Sequence, residues 1–246
     1  MKFIFSICSL FYFFDFVPKN IIKTDVNKDN YFFNNFSKIH LEYINKIDLI
    51  KIEDNFLYSN KTDSILYNNF YKNNLFRKVR VTHFFSPEKH LINSVWYPHY
   101  YYDIPILSID LVNMEANKSL VFMNLYEMNK KKYSNIFKQF LLKNKDFVED
   151  KTIHLLPFKH LLSDSMIYSH IYNDDKLARL ENIMNNYIEI YLSIFLYDEK
   201  NGFNKNKQDY YNKIRKEIDK SFIFKQYLNH QDLNYFIDKM YSDDFN

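Results

Sequence analysis

The sequence predicts an α+β fold, a central antiparallel sheet with helices before and after it that cover both faces. Three observations predict it. Four strand-like segments follow one another between residues 76 and 128 with short connectors, a meander and therefore an antiparallel sheet. The last strands are apolar on both alternating faces, so both need a covering layer. Helical periodicity precedes the strands and resumes after residue 130.

Residues 37–57 place Ile39, Leu41, Ile44 and Ile47 at helical spacing behind Ser37 as a cap, then drift toward alternation at Leu49, Ile50 and Ile52. Residues 76–86 alternate Val79 and Val81 against Lys78, Arg80 and Thr82, a strand signature. Residues 90–97 form a second strand, with Pro87 and Glu88 as the turn between. The run IPILSIDLV (104–112) is a third and SLVFMNLYEM (119–128) a fourth. Next, Tyr133, Ile136, Phe137, Phe140 and Leu141 mark a helix. Residues 174–197 form a long one, with Asp174 and Asp175 as cap candidates. Its stripe of Leu177, Leu180, Ile183, Met184, Tyr187, Ile188, Tyr191, Leu192 and Phe195 reads as core packing. Residues 198–208 read as a loop, and 209–228 and 230–241 as a C-terminal helical region.

The length of 246 residues suits one sizeable domain. The N-terminus differs in character: Met1-Lys2 precedes an apolar run over residues 3–17 that is too short to span a bilayer, and Lys/Asn-rich sequence follows. This predicts a targeting segment over 1–30 and a single domain over 31–246, with no membrane span. A net charge of +3, dispersed along the chain, argues against a nucleic-acid partner, which wants a clustered basic face. The single Gly202 and the abundance of Asn, Lys, Ile, Tyr and Phe point to codon bias, so Lys/Asn runs carry little functional weight. Cys8 is the only cysteine, and His154 and His160 are six residues apart. An intrachain disulfide and a thiolate zinc site are excluded, and a structural metal is not expected.

Alternation puts Ile106, Ser108, Asp110 and Val112 on one strand face and Leu107, Ile109 and Leu111 on the other. Asp110 therefore faces a covered layer. It is either a structural carboxylate bonded to nearby donors, or a carboxyl whose pKa desolvation raises until it holds a proton near neutrality. Asn93 shares its side with Val95 and Tyr97 and could equally be an edge residue. Asp219 lies in the run KIRKEIDKS, where a solvated face is the default. Asp103, before Pro105, reads as structural.

Residues 75–112 resemble the ferredoxin-dependent bilin reductases. The matching residues are Tyr71 ahead of Phe76-Arg77-Lys78, the pair Tyr97-Pro98, and Tyr102-Asp103-Ile104-Pro105 leading to Ser108-Ile109-Asp110, with Ser108 where the family has Gly. SDSMIY (163–168) and Tyr211 with Asp219-Lys220-Ser221 resemble later family segments. The resemblance implies an α/β/α sandwich that binds biliverdin or a related bilin between the sheet and the C-terminal helices. It implies single electrons from reduced ferredoxin, no bound metal or flavin, and bilin radicals on the path. It makes Asp110 and Asp219 proton donors on opposite sides of the bilin, with Asn93 beside them. Lys220 becomes a propionate contact, and Thr82, Ser108 and Ile106 line the substrate.

Asn93 stands where phycocyanobilin-forming members have His, and Thr82 where they have Glu. This resembles the phycoerythrobilin branch, and within it the reduction of biliverdin at the C15–C16 bridge; A-ring reduction and a non-catalytic bilin carrier are the alternatives. The family's propionate-binding Arg would fall near Ile153, with Lys151, His154 and Lys159 as nearby substitutes. The implied partners are a bilin, ferredoxin and, for the product, a downstream bilin reductase; the implied compartment is the plastid. Lys78, Arg80 and Lys130–Lys132 are expected to offer the basic patch that acidic ferredoxin needs.

Overall fold

The computed structural model describes residues 36, 38–59, 64–86, 89–115, 118–126, 133–147, 162–171, 174–198, 200, 204–219, 224–225 and 228–242. The targeting segment expected over 1–30, the turn at Pro87 and Glu88, Lys130–Lys132, Lys151, Ile153, His154, Lys159 and Lys220 lie outside them.

The chain forms a seven-stranded antiparallel sheet whose strands lie in sequence order. These are β1 (Ile50–Ser59), β2 (Ser64–Lys72), β3 (Phe76–Phe85), β4 (His90–Pro98), β5 (Ile106–Glu115), β6 (Lys118–Tyr126) and β7 (Ile167–Ile171). The four expected strands are β3 to β6. The alternating stretch after residue 49 became β1, and β2 and β7 extend the sheet beyond expectation.

Helices cover both faces, giving three layers. On one side lie α1 (residues 38–46), α2 (Ser134–Lys143) and α3 (Asp174–Ser193). Phe36, Ile39, Tyr43 and Ile44 turn inward at the first of these, while Leu41 is left outside. Its end is closed by Leu49 N–H donating to Ile44 O (2.9 Å), with Asp48 at φ 53°, a left-handed conformation that Asp tolerates. The long helix buries Leu180, Ile183, Met184, Tyr187, Ile188 and Tyr191 against Val79, Trp96, Leu107 and Ile109 of the sheet.

The other face is covered by α4 (Lys205–Ile218) and α5 (His230–Tyr241). Here α4 takes in the last four residues of the expected loop, because the β4–β5 connection holds its first turn. Asn204 N–H donates to Tyr100 O (2.8 Å) and Gln208 Nε2 to Pro98 O (2.9 Å), while Arg77 Nε reaches Gln208 Oε1 (2.6 Å). Asn229 caps α5 by accepting from Asp232 N–H (2.9 Å). Tyr211, Phe236, Ile237, Met240 and Tyr241 pack on Val95, Tyr97, Ile106 and Phe122. Asp110 belongs to this second face.

Candidate active site

A polar row crosses the centre of the sheet beneath α4 and α5. Asn68, Thr82, Asn93 and Asp110 are successive cross-strand partners on β2, β3, β4 and β5. Their side chains therefore point the same way at one level of the sheet. Phe122 and Tyr168 continue the row as its apolar end.

Asn93 Nδ2 donates to Asp110 Oδ1 at 2.6 Å, and Ser108 Oγ donates to Oδ2 at 3.2 Å. Arg80 Nη2 donates to Asn93 Oδ1 at 2.5 Å. Thr82 Oγ1 donates to Asn68 Oδ1 at 2.5 Å. Asp110 keeps partial solvent access, yet desolvation still dominates and pushes its pKa up. The Arg215 charge and the hydrogen bond from Asn93 oppose that rise, while the Asp219 charge adds to it.

The facing layer supplies Tyr211 and Arg215 from α4 and Asp219 from its C-cap, one inward stripe spaced by four residues and all nearly fully buried. Arg215 Nη2 lies 3.5 Å from Asp219 Oδ1. Tyr241 O–H donates to Asp219 Oδ2 at 2.5 Å. Arg80 packs its guanidinium over the Tyr241 ring at 5.2 Å. Burial is the largest influence on both arginines, but the acidic and phenolic groups around them hold both firmly charged.

Several buried polar atoms here have no protein partner: Arg80 Nε and Nη1, Arg215 Nε and Nη1, and the Tyr211 hydroxyl. Buried donors left unpaired are costly, so a group of donors pointing into one layer marks a place for a polar ligand. A cleft of about 400 Å³, counting its open mouth, begins beside them, with Ile106, Tyr126 and Tyr211 on its inner wall and Asp103 and Lys207 at its rim. Tyr126 joins cleft and cluster. Burial raises its pKa to about 12, with Arg215 lowering it and Asp110 and Asp219 raising it.

The structure thus brings Asn93, Ser108, Asp110 and Asp219 together, with Thr82 one strand over and Ile106 at the cleft. Asp219 is buried, against the solvated default of its charge run. Asp103 ties loops together: it accepts from Lys207 Nζ and Asn204 Nδ2 at 3.2 Å each, and its backbone N–H donates to Asp198 Oδ2 at 2.9 Å.

One expectation is corrected. Lys78 and Arg80 are not a surface patch; both are fully buried. They lie on the β3 face that α5 covers, and Lys78 donates to Ser242 O at 2.9 Å. Sequence reasoning missed Arg215. Its four-residue offset from Asp219, inside a helix that carries Tyr211 on the same stripe, was the available signal. Among the described residues, no group of three or more His, Cys, Asp or Glu is placed to hold a metal ion, and no helix is long and apolar enough to cross a membrane.

Fold and site define a three-layer protein whose antiparallel sheet and C-terminal helices enclose a cluster of polar side chains, with a carboxyl on each side. The chain belongs to the ferredoxin-dependent bilin reductase family, whose model matches residues 37–241. No curated protein sequence matches it. A solved structure similar to it is selenomethionine phytochromobilin synthase from tomato in complex with biliverdin. That similarity has 14% identity and a TM-score of 0.46, and it covers 58% of this chain. The chain matches about half (54%) of that protein's length.

Proposed function

We propose that this protein is an enzyme that reduces biliverdin at the C15–C16 bridge, as a 15,16-dihydrobiliverdin:ferredoxin oxidoreductase. The observation that carries the reading is the pair of carboxyls, half-buried Asp110 on the sheet and buried Asp219 at the C-cap of α4, coupled electrostatically to each other and both influenced by the Arg215 charge. The reduction adds two electrons and two protons. Electrons arrive singly from two reduced ferredoxins, which become oxidised, so the bilin passes through a radical. The protein holds the tetrapyrrole and supplies the protons. Asp110, whose carboxyl burial pushes toward the protonated form, gives one to the bilin and is left as a carboxylate that Asn93 and Ser108 stabilise. Asp219 serves the other side. The unpartnered donors of Arg80 and Arg215 suit the bilin's carbonyl and propionate oxygens.

The choice of bond rests on Asn93 and Thr82, which stand where the phycocyanobilin-forming branch has His and Glu. The product passes to a downstream bilin reductase, and the natural compartment is the plastid, where ferredoxin and light-harvesting bilins meet.

The test is incubation of the protein with biliverdin, ferredoxin, its reductase and NADPH under low oxygen. The expected product has a shortened conjugated system and a blue-shifted spectrum, with hydrogen added at C15 and C16 by NMR. A product reduced in the A ring overturns the bond assignment. Unchanged biliverdin, with ferredoxin shown to be active, overturns the reductase reading.

A further inference from the structure

The hydrogen bonds at Asp110 make its two oxygens unequal seats for a proton. An asparagine amide has an acceptor and a donor end of nearly equal size, and its orientation follows from its partners. Arg80 removes the ambiguity at Asn93. A guanidinium can only donate, and Nη2 lies 2.5 Å from the amide oxygen of Asn93. The amide nitrogen is thereby turned to Asp110 Oδ1, at 2.6 Å. An oxygen that receives an N–H at this distance is a poor seat for a proton. Among the described residues, the hydrogen-bond partner of the other oxygen, Oδ2, is the Ser108 hydroxyl at 3.2 Å, which can donate or accept.

We propose that Arg80 is a positioning residue that locks the Asn93 amide, so that Asp110 carries its transferable proton on Oδ2. This rests on the reading of Asp110 as a proton donor. With Arg80 absent, the amide is free to turn by half a revolution. Its oxygen then accepts from Oδ1–H and ties up the proton that should leave. When the proton does leave, the Oδ2–H bond breaks, the pair stays on the carboxylate, and the Asn93 N–H already in place stabilises the negative charge. Arg80 therefore acts through Asn93 and needs no contact with the reacting atoms.

The experiment uses the ligand-free protein, so its result does not depend on bilin reduction. The protonated Asp110 carboxyl is followed by its infrared C=O band, isolated by subtracting the spectrum of Asp110→Asn, through a pH titration. Among the described residues, three other charged or titratable groups are coupled to Asp110: Arg215 of α4 and Asp219 at its C-cap, and Tyr126 from β6. All three are kept intact. Arg80→Met is expected to move the titration midpoint upward by about one pH unit, because an acceptor replaces a donor. Arg80→Lys, which keeps a donor, is expected to stay near wild type.

The decisive comparison repeats Arg80→Met on an Asn93→Leu background, where it is expected to do nothing. An equal shift on both backgrounds would mean that the Arg80 charge acts directly, and overturns the proposal. So does no shift on either. A second measurement needs no change at Arg80. The side-chain amide ¹⁵N signal of Asn93, assigned by its loss in Asn93→Leu, is expected to follow the Asp110 titration. A flat signal overturns the proposal even if Arg80→Met fails to fold.

Discussion

Arg215 in the last turn of α4 and Asp219 at its C-cap lie four residues apart, with Nη2 3.5 Å from Oδ1 and both side chains only 2% exposed. A buried pair of this kind stabilises little relative to an apolar pair of the same size, but removing one member strands the other. Arg215→Leu leaves Asp219 with the Tyr241 hydroxyl and without its cation. The expected loss of folding free energy is about 3–5 kcal/mol, measured by urea unfolding. Arg215→Leu combined with Asp219→Leu is expected to recover most of it. A double variant no better than the single one would show that the pair is held for some other reason.

Asp110→Asn separates stability from activity. Burial raises the Asp110 carboxyl above the ordinary carboxylate range. Between the unfolded value near 4 and that raised value, the folded protein binds more protons than the unfolded chain, so stability falls as pH rises. Asn cannot ionise. Its oxygen can accept from Asn93 and its nitrogen can donate to Ser108. Asp110→Asn is therefore expected to melt at a higher temperature than wild type at pH 8, with the difference shrinking toward pH 4. It is expected to bind biliverdin while slowing turnover by about 10²–10⁴-fold, the usual worth of a general acid. Full turnover would remove Asp110 from the chemistry.

Two histidines on the other face of the sheet carry an acid sensitivity unrelated to the site. His40 on α1 and His83 on β3 are both buried, and burial pushes each down to about 4. His40 adds to the fall at His83 by charge repulsion. A depressed histidine gives stability that is fully present above its unfolded pKa near 6.5 and is lost as pH falls toward 4. Each pH unit in that window costs about 1.4 kcal/mol per histidine. The melting temperature should drop steeply between pH 6.5 and 4. His40→Leu with His83→Phe, which preserves the stack on Tyr67 (ring centroids 4.5 Å apart), should flatten the drop. An unchanged slope would place the acid sensitivity elsewhere.

The parts of the fold that could be read from sequence are those whose side chains alternate by hydrophobicity. β3, β4, β5 and β6 do so, and so does the stripe of α3. In β2, SILYNNFYK, the inward positions include Asn68, a buried polar residue that breaks the apolar alternation. β7 has only five residues and joins the sheet after a long connection, so nothing local announces it. The site divides the same way. Asp110 stood out because a carboxylate interrupts an apolar strand. Arg80 and Arg215 did not, because charged residues on one face of a strand or helix normally mark solvent. Here that face is covered by α4 and α5, and the charge pattern on β3 reports the site's lining.

Lys78 illustrates what that inversion predicts. Its ammonium donates to the carbonyl of Ser242 at 2.9 Å, lies 3.5 Å from that of Met240, and sits 4.7 Å from the Tyr97 ring centroid. Those carbonyls close the C-terminal end of α5, where backbone acceptors lack intrahelical partners and a cation is favoured. Lys78 therefore pins α5, and with it Tyr241, onto the sheet. Lys78→Met keeps the length of the stem and removes the donor. It is expected to destabilise the protein by about 1–3 kcal/mol through the unsatisfied carbonyls and to increase hydrogen exchange in the last turn of α5. A lysine on a docking surface would behave differently. Its loss would leave stability alone and weaken a salt-sensitive association. Comparing the melting temperature with the ferredoxin concentration needed for half-maximal turnover, at low and high salt, separates the two. A change in the second with none in the first would return Lys78 to the surface role.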